Sequence, residues 1–560
     1  MALIFQKDRI IQHGAEILET VSIVLFLLLA VVVSGAVSRM VPVALPTPLV
    51  QIVLGGVIGL STSHRVGLDP ELFLFLFLPP LLFLDGWRIP KDELFKDVSI
   101  VVELALGLVL ITVVGMGLFI HWMIPAMPLA VAFALAAVIS PTDPIAVSAI
   151  AARVPIPKRM MHILEGESLL NDASGLVCLR FAVAAALTGH FAAGPAVLNF
   201  LWVAGGGLAI GVAVTLVVTR VKAAVTKRWG EDTGSQILVS LLIPFGSYMV
   251  AEHVHASGIL AAVSAGVTMS FAEVSRQALA DTRMRRNSVW DMIQFTLNGI
   301  IFVLLGEQLP GILSGAKQTV ALTGHSAPWW LAVYILAIVA GLAALRFLWV
   351  WGSLKLTILR RRDAAQAPHS PDWRLIAAMS FAGVRGAITL AGVLTLPLAL
   401  DDGAPFPARD LAIFLAAGVI IVSLVVASVA LPILLKDLKM PAEPSRQAEE
   451  DQARIMTAQA AIVAIERRQH GLAEQSGEAD LYAQAGGRVM DFYRERIEGL
   501  AEEQADRARA QDRLMSEFRL VGIKAERAAL SRLIRARAIG SEAARKLTRE
   551  LDLSEARLRG

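Results

Sequence analysis

The chain has 560 residues, 56% of them apolar and 18% charged, and a mean hydropathy of +0.63, which excludes an ordinary soluble globular protein. The single cysteine, Cys178, excludes an intrachain disulfide framework, a CxxC redox pair and a cysteine zinc site. The net charge of +3 does not point to nucleic acid, because the basic residues lie beside apolar runs and form no separate tract.

The first sixteen residues, MALIFQKDRIIQHGAE, are too charged for the core of a signal peptide, so no cleaved leader is expected. Crossing a hydrocarbon layer of roughly 30 Å takes about 20 mostly apolar residues per helix. On that ruler thirteen segments emerge: 17–37, 43–60, 69–86, 98–121, 128–150, 160–188, 195–219, 235–252, 257–273, 288–309, 328–354, 373–398 and 409–435. The third is short, and Pro79-Pro80 is expected to break it.

Lys and Arg alternate strongly between the two sets of loops. With the N-terminus outside, the inner loops hold 20, from Arg39 to Arg374, and the outer side holds five: Lys7, Arg9, Arg65, Lys317 and Arg409. That asymmetry places the C-terminal tail in the cytoplasm. The domain division expected is a membrane domain at 1–440 and a tail at 441–560, where 21 basic and 21 acidic residues balance. The tail reads as helices near 446–470, 478–518 and 523–556, interrupted by Gly477, Gly486-Gly487 and Gly540. Solvated helices packing on one another or on a partner chain are the plain reading; a regulatory module is the sharper one.

Within the spans, few charges remain, and each is costly in a bilayer, roughly 2.5–3.5 kcal/mol on the insertion scale. Asp143 lies in Ile139-Ser140-Pro141-Thr142-Asp143-Pro144; Glu167, Ser168, Asn171 and Asp172 lie within one stretch, Glu165 to Gly175; Arg346 and Arg385 lie in the eleventh and twelfth segments. Prolines 141 and 144 flank Thr142-Asp143 and remove two amide donors, so the fifth segment should be interrupted at membrane depth. Such interruptions are tolerated where they are buried in protein or line a watery cavity, and they mark transporter binding sites. On the sixth helix Glu167 with Asn171, and Ser168 with Asp172, are i, i+4 pairs. Hard oxygen ligands within one turn suit an alkali cation, not a transition metal. The structural alternative is a set of buried ion pairs that only fix helix register. His162, His253, His255, Glu252 and Asp85 lie near segment ends and read as interface or structural residues.

There is no Gly-Lys dipeptide, hence no Walker A loop, and no His-Glu-x-x-His motif. ATP does not drive the protein directly; no cofactor is expected, and the chain does not read as an enzyme.

Five stretches, in order, carry a resemblance: Leu78-Pro79-Pro80-Leu81-Leu82-Phe83-Leu84-Asp85-Gly86, Ser140 to Pro144, Glu165 to Gly175, Ala251 to Ala261, and Gly383-Val384-Arg385-Gly386-Ala387-Ile388. Through them the chain resembles the cation:proton antiporter superfamily, in the branch of bacterial NhaP-type and animal NHE-type Na+/H+ exchangers. The resemblance implies an all-α membrane fold of two inverted repeats, roughly 17–188 and 235–437, with crossing broken helices at 128–150 and 373–398. It implies Asp172 as the main carboxylate for cation or proton, with Ser168, Thr142 and Asp143 completing the Na+ shell and Asn171 counted with them in the cation/proton-binding set. Glu167 would pair with Arg346 and orient the site, and Arg385 would balance half-helix dipole ends. Asn171 before Asp172 matches the electroneutral branch. The function implied is exchange of Na+, and of Li+ or K+, for H+ by a homodimer in a bacterial inner membrane. A K+/H+ antiporter on the same fold is the nearest alternative. A tail-gated channel would need selectivity rings or a continuous polar face, and neither is found; a vestigial sensor is disfavoured because the site residues are complete.

Overall fold

The computed structural model describes residues 22–40, 46–61, 70–88, 103–144, 147–148, 156, 158–188, 193–274, 280–321, 323, 325, 327–360, 373–400, 403–436, 444–473, 479–499, 505–536 and 538–559. Among them all regular structure is helical, apart from one isolated bridge between Ala399 and Pro405. The chain divides into two compact units, residues 1–438 and 439–560.

In the first unit the helices are α1 (Ser22–Met40), α2 (Thr47–Ser61), α3 (Pro70–Arg88), α4 (Glu103–Met123), α5 (Leu129–Ile139), α6 (Lys158–Thr188), α7 (Ala193–Trp229), α8 (Thr233–His253), α9 (Gly258–Val274), α10 (Ala280–Ser314), α11 (Ala316–Ala321), α12 (Trp329–Arg360), α13 (Trp373–Phe381), α14 (Ala387–Leu394) and α15 (Arg409–Leu435). Eight of the described helices are long and apolar enough to cross a membrane. α4 shows what the outer surface is made for. Leu106, Leu110, Val114, Leu118 and Trp122 recur every fourth residue and are all exposed, while Leu104, Leu108, Met116 and Ile120 are buried. A continuous apolar stripe of that length has lipid as its natural solvent. Where the chain leaves the spans, polar capping takes over: Asp232 accepts from the Ser235 hydroxyl and amide ahead of α8. Those bonds hold its carboxyl below the usual range.

Lipid tails offer helices no hydrophobic drive to associate, so close backbone contact must supply it. α2 carries Gly55 and Gly59 four residues apart. A Cβ at Gly55 would overlap the Val303 carbonyl of α10, and one at Gly59 the Glu307 carbonyl. The two helices therefore meet backbone to backbone and make one firm wall.

One expectation about interruptions needs correcting. Pro79 and Pro80 lie inside a continuous α3 and do not break it. The flanking Leu78, Leu82 and Phe83 are fully buried, and this packing holds the helical backbone in spite of two missing amide donors. The 128–150 and 373–398 segments, by contrast, are interrupted: α5 stops at Ile139, and the backbone between α13 and α14 is non-helical from Gly383 to Gly386.

The second unit contains α16 (Pro444–Ala473), α17 (Ala479–Gly499), α18 (Ala505–Arg535) and α19 (Ser541–Arg559). α16 packs on α17 and α18 on α19, with Ala458, Met490, Ile523 and Leu530 buried between them. Arg527 of α18 bridges to Asp552 and Glu555 of α19 at 2.6 and 2.7 Å. Gly486-Gly487 sits within α17, and α18 runs through the boundary expected near 518–523. A mid-helix glycine costs only about 1 kcal/mol against alanine, which neighbouring helix formers and packing override. Gly477 lies outside the described residues, and Gly540 does precede a new helix.

Candidate functional site

The two interruptions meet. The amide of Asp143 donates to the Val384 carbonyl at 2.7 Å, so the broken strands of backbone satisfy each other across the crossing. Gly386 lies so close to Asp143 that a Cβ there would overlap the carboxyl group. Arg385 is buried at the same place. Its Nε donates to the Ile139 carbonyl at 2.8 Å, its Nη1 donates to Gly383 O, and its amide donates to Ser423 Oγ of α15 at 3.2 Å. Ile139 ends α5, so the guanidinium caps a carbonyl left without a helical donor and opposes the negative end of that half-helix. Gly386→Ala is expected to push Asp143 or the crossing peptide aside and to abolish ion-driven proton movement in proteoliposomes. Wild-type rates in a correctly inserted variant would contradict that.

α6 carries two polar faces with different partners. Glu167, 1% exposed, is gripped by Arg346 of α12 through two bonds of 2.5 and 2.6 Å, and Arg346 Nε also donates to the Met379 carbonyl of α13 at 2.9 Å. Asn171 turns its amide nitrogen to Thr142 Oγ1 at 2.9 Å and to Glu167 Oε1 at 3.5 Å, and the Thr142 hydroxyl donates to Glu167 Oε1 at 3.4 Å. This face ties α6, α12, α13 and the first interruption together. The structure thus brings Asn171 to Thr142 and Glu167, and it is absent from the cavity wall.

The other face opens on a small cavity. Ser168 and Asp172 line it together with Thr142 and Asp143 of the first interruption, Gly386 of the second and Thr389 of α14. Asp172 is 3% exposed. Two further polar residues lie in the wall, Asp85 of α3 and Asn298 of α10. A second cavity of about 600 Å³ adjoins it, sharing Asp85, Pro144, Ser168 and Asn298 and reaching Arg88, Ser148, Glu165 and Asp291. At that end Arg88 holds Asp291 at 2.5 Å and Gln294 at 2.9 Å. His162 stands 3.8 Å from Glu165, and Glu252 pairs with Arg180 at 2.8 Å at another part of the fold.

Sequence reasoning missed Asp85 and Asn298 as lining residues. The signal for Asp85 was its place in an otherwise apolar run, three residues after Leu82. For Asn298 it was a lone amide in the apolar part of 288–309. Among the described residues no three His, Cys, Asp or Glu side chains are grouped to hold a metal ion. The oxygens on offer therefore mix carboxylate, hydroxyl and amide, a hard and loosely spaced set.

Residues 24–437 match the family described as sodium/hydrogen exchanger, transmembrane. The chain is 43% identical over 540 residues to the uncharacterized Na(+)/H(+) exchanger YjcE of Escherichia coli (strain K12), covering 96% of this chain and 98% of that protein. It is 39% identical over 531 residues to the sodium, potassium, lithium and rubidium/H(+) antiporter of Bacillus pumilus (strain SAFR-032), covering 94% of this chain and 76% of that one. Among solved structures, the sodium proton antiporter MjNhaP1 from Methanocaldococcus jannaschii superposes with a TM-score of 0.52 at 18% identity, over 74% of this chain and 97% of that one, and so shares the fold. With a family match across the whole membrane unit and a relative alike over nearly its full length, the chain belongs to the sodium/hydrogen exchanger family.

Proposed function

We propose that the protein exchanges Na+ for H+ across a bacterial inner membrane, one for one, through competition at Asp172. The observation that carries this reading is the small cavity at the crossing of two broken helices, whose lining brings Asp172, Ser168, Thr142 and Asp143 together. One carboxylate can hold a cation or a proton, and each side of the membrane can then swap one for the other. Ser168 and Thr142 supply neutral oxygens to the ion, and Asp143 adds a second carboxylate at the interruption. Glu167, Arg346 and Asn171 position the site from behind, and Arg385 offsets the half-helix end. With Asn171 neutral, a single positive charge moves in each direction, so the cycle is electroneutral. Alternating access carries the loaded site between the two faces, because an empty charged site is costly to move through a low-dielectric barrier.

The Lys and Arg distribution supports an outer N-terminus and a cytoplasmic tail, and the family resemblance supports a homodimer with 1–440 as the antiporter domain. A wider substrate range, including K+ and Li+, has specific support in the name of the Bacillus pumilus relative, a sodium, potassium, lithium and rubidium/H(+) antiporter.

The test is lumenal pH in proteoliposomes of the purified protein, with pulses of Na+, Li+, K+ and choline at clamped membrane potential. Na+ should dissipate the pH gradient, choline should not, and the rate should not change with potential. On the acid side the apparent KM for Na+ should fall by up to about tenfold per pH unit as protons vacate the carboxylate. Activity with K+ alone would keep the site and change the substrate. Failure of every cation to move protons would overturn the reading.

A further inference from the structure

Asn298 has no part in the roles assigned above. It is 7% exposed, and its Oδ1 makes no hydrogen bond among the described residues. A buried amide oxygen without a partner forfeits its hydration with no return, so native folds seldom keep one without a use. Its position supplies a use. Asn298 lines both cavities, at the place where the larger one narrows into the chamber of Asp172 and Ser168. It stands on α10, the helix that Gly55 and Gly59 bring into backbone contact with α2, so the amide is carried on a firm wall and not on a loop. Asp85, from α3, shares the junction with it.

A cation leaving the wider cavity has to shed water to enter a chamber this small. Carboxylates at the junction attract any monovalent cation. Neutral oxygens at fixed positions tell one ionic radius from another, because they replace particular waters of the shell without changing the charge count. We infer that Asn298 is a specificity-determining residue of the exchange, its amide oxygen replacing a water of the dehydrating alkali cation at the junction between the two cavities. This rests on the antiport reading. Being neutral, the amide leaves one-for-one stoichiometry intact, so it alters which cation passes and not how many charges move.

The experiment compares wild type, Asn298→Ala and Asn298→Gln as full chains in proteoliposomes, measuring apparent KM and maximal rate for Na+, Li+ and K+, with thermal unfolding of each protein in detergent. Asn298→Ala should raise the apparent KM for the preferred cation about five- to tenfold and change the order or spacing of the three KM values, with maximal rate within about twofold, the pattern of a lost binding contact. Asn298→Gln keeps the amide oxygen on a longer stem; it should retain cation discrimination and favour a different radius. Should Asn298→Ala prove too unstable to assay, an altered cation order in Asn298→Gln supports the inference and an unaltered one overturns it. Unchanged KM values and order in a stable Asn298→Ala protein overturn it. So does a uniform rise in all three KM values accompanied by a lower melting temperature, which would mark a purely structural amide. If no cation moves protons through the wild type, the antiport reading has failed, and that result is distinct from either outcome for Asn298.

Discussion

Asp172→Asn is expected to reduce Na+-driven proton movement to the background of protein-free vesicles while leaving insertion and thermal stability close to wild type. The substitution keeps the shape of the side chain and removes what exchange requires. An amide neither takes up a proton in this range nor supplies negative charge, so a Na+ entering the chamber would bring an uncompensated charge into a poorly hydrated space. The fold should tolerate the change because Asp172 lies on the cavity face of α6, whereas the bonds that tie α6 to α12, α13 and the first interruption come from Glu167 and Asn171. The deciding measurement is the pH-dye assay with Na+ and Li+ pulses, paired with a melting curve. A fully active Asp172→Asn protein would remove the competing carboxylate from the mechanism.

The second large effect is on stability. Glu167→Gln leaves Arg346 as a buried, unmatched charge, 2% exposed, and breaking such a pair costs about 3–5 kcal/mol. The melting temperature of the purified protein should drop markedly, while the apparent KM for Na+ in the surviving folded protein changes by less than about threefold. The double variant Glu167→Gln, Arg346→Met should recover part of the loss, because it removes the orphaned charge as well. The opposite ranking, a large KM change with an unaltered melting curve, would make Glu167 a direct ligand of the ion.

Much of the membrane unit was legible in the sequence because its signals are local. Apolar runs of span length, the Pro141 and Pro144 pair around Thr142-Asp143, and carboxylates that have to justify their cost in a bilayer can all be read within a few residues. The same local reading failed at Pro79-Pro80, where burial of the neighbouring leucines and Phe83 outweighs the missing donors, and at Gly486-Gly487, where packing against α16 outweighs propensity. Arg346 came to Glu167 through family resemblance, since 179 residues separate them and no periodicity links positions so distant.

The sequence by itself therefore determined that the chain crosses a membrane many times, that Pro141 and Pro144 interrupt its backbone, and that Asp143 lies at that interruption. Only the tertiary structure decided that the two interruptions bond to each other through Asp143 and Val384, that Asn171 turns from the cavity to Thr142 and Glu167, and that Asp85 and Asn298 join the wall. The reason is physical: a break in a helix is fixed by the residues at the break, whereas the side chains that meet across it are fixed by how distant helices pack.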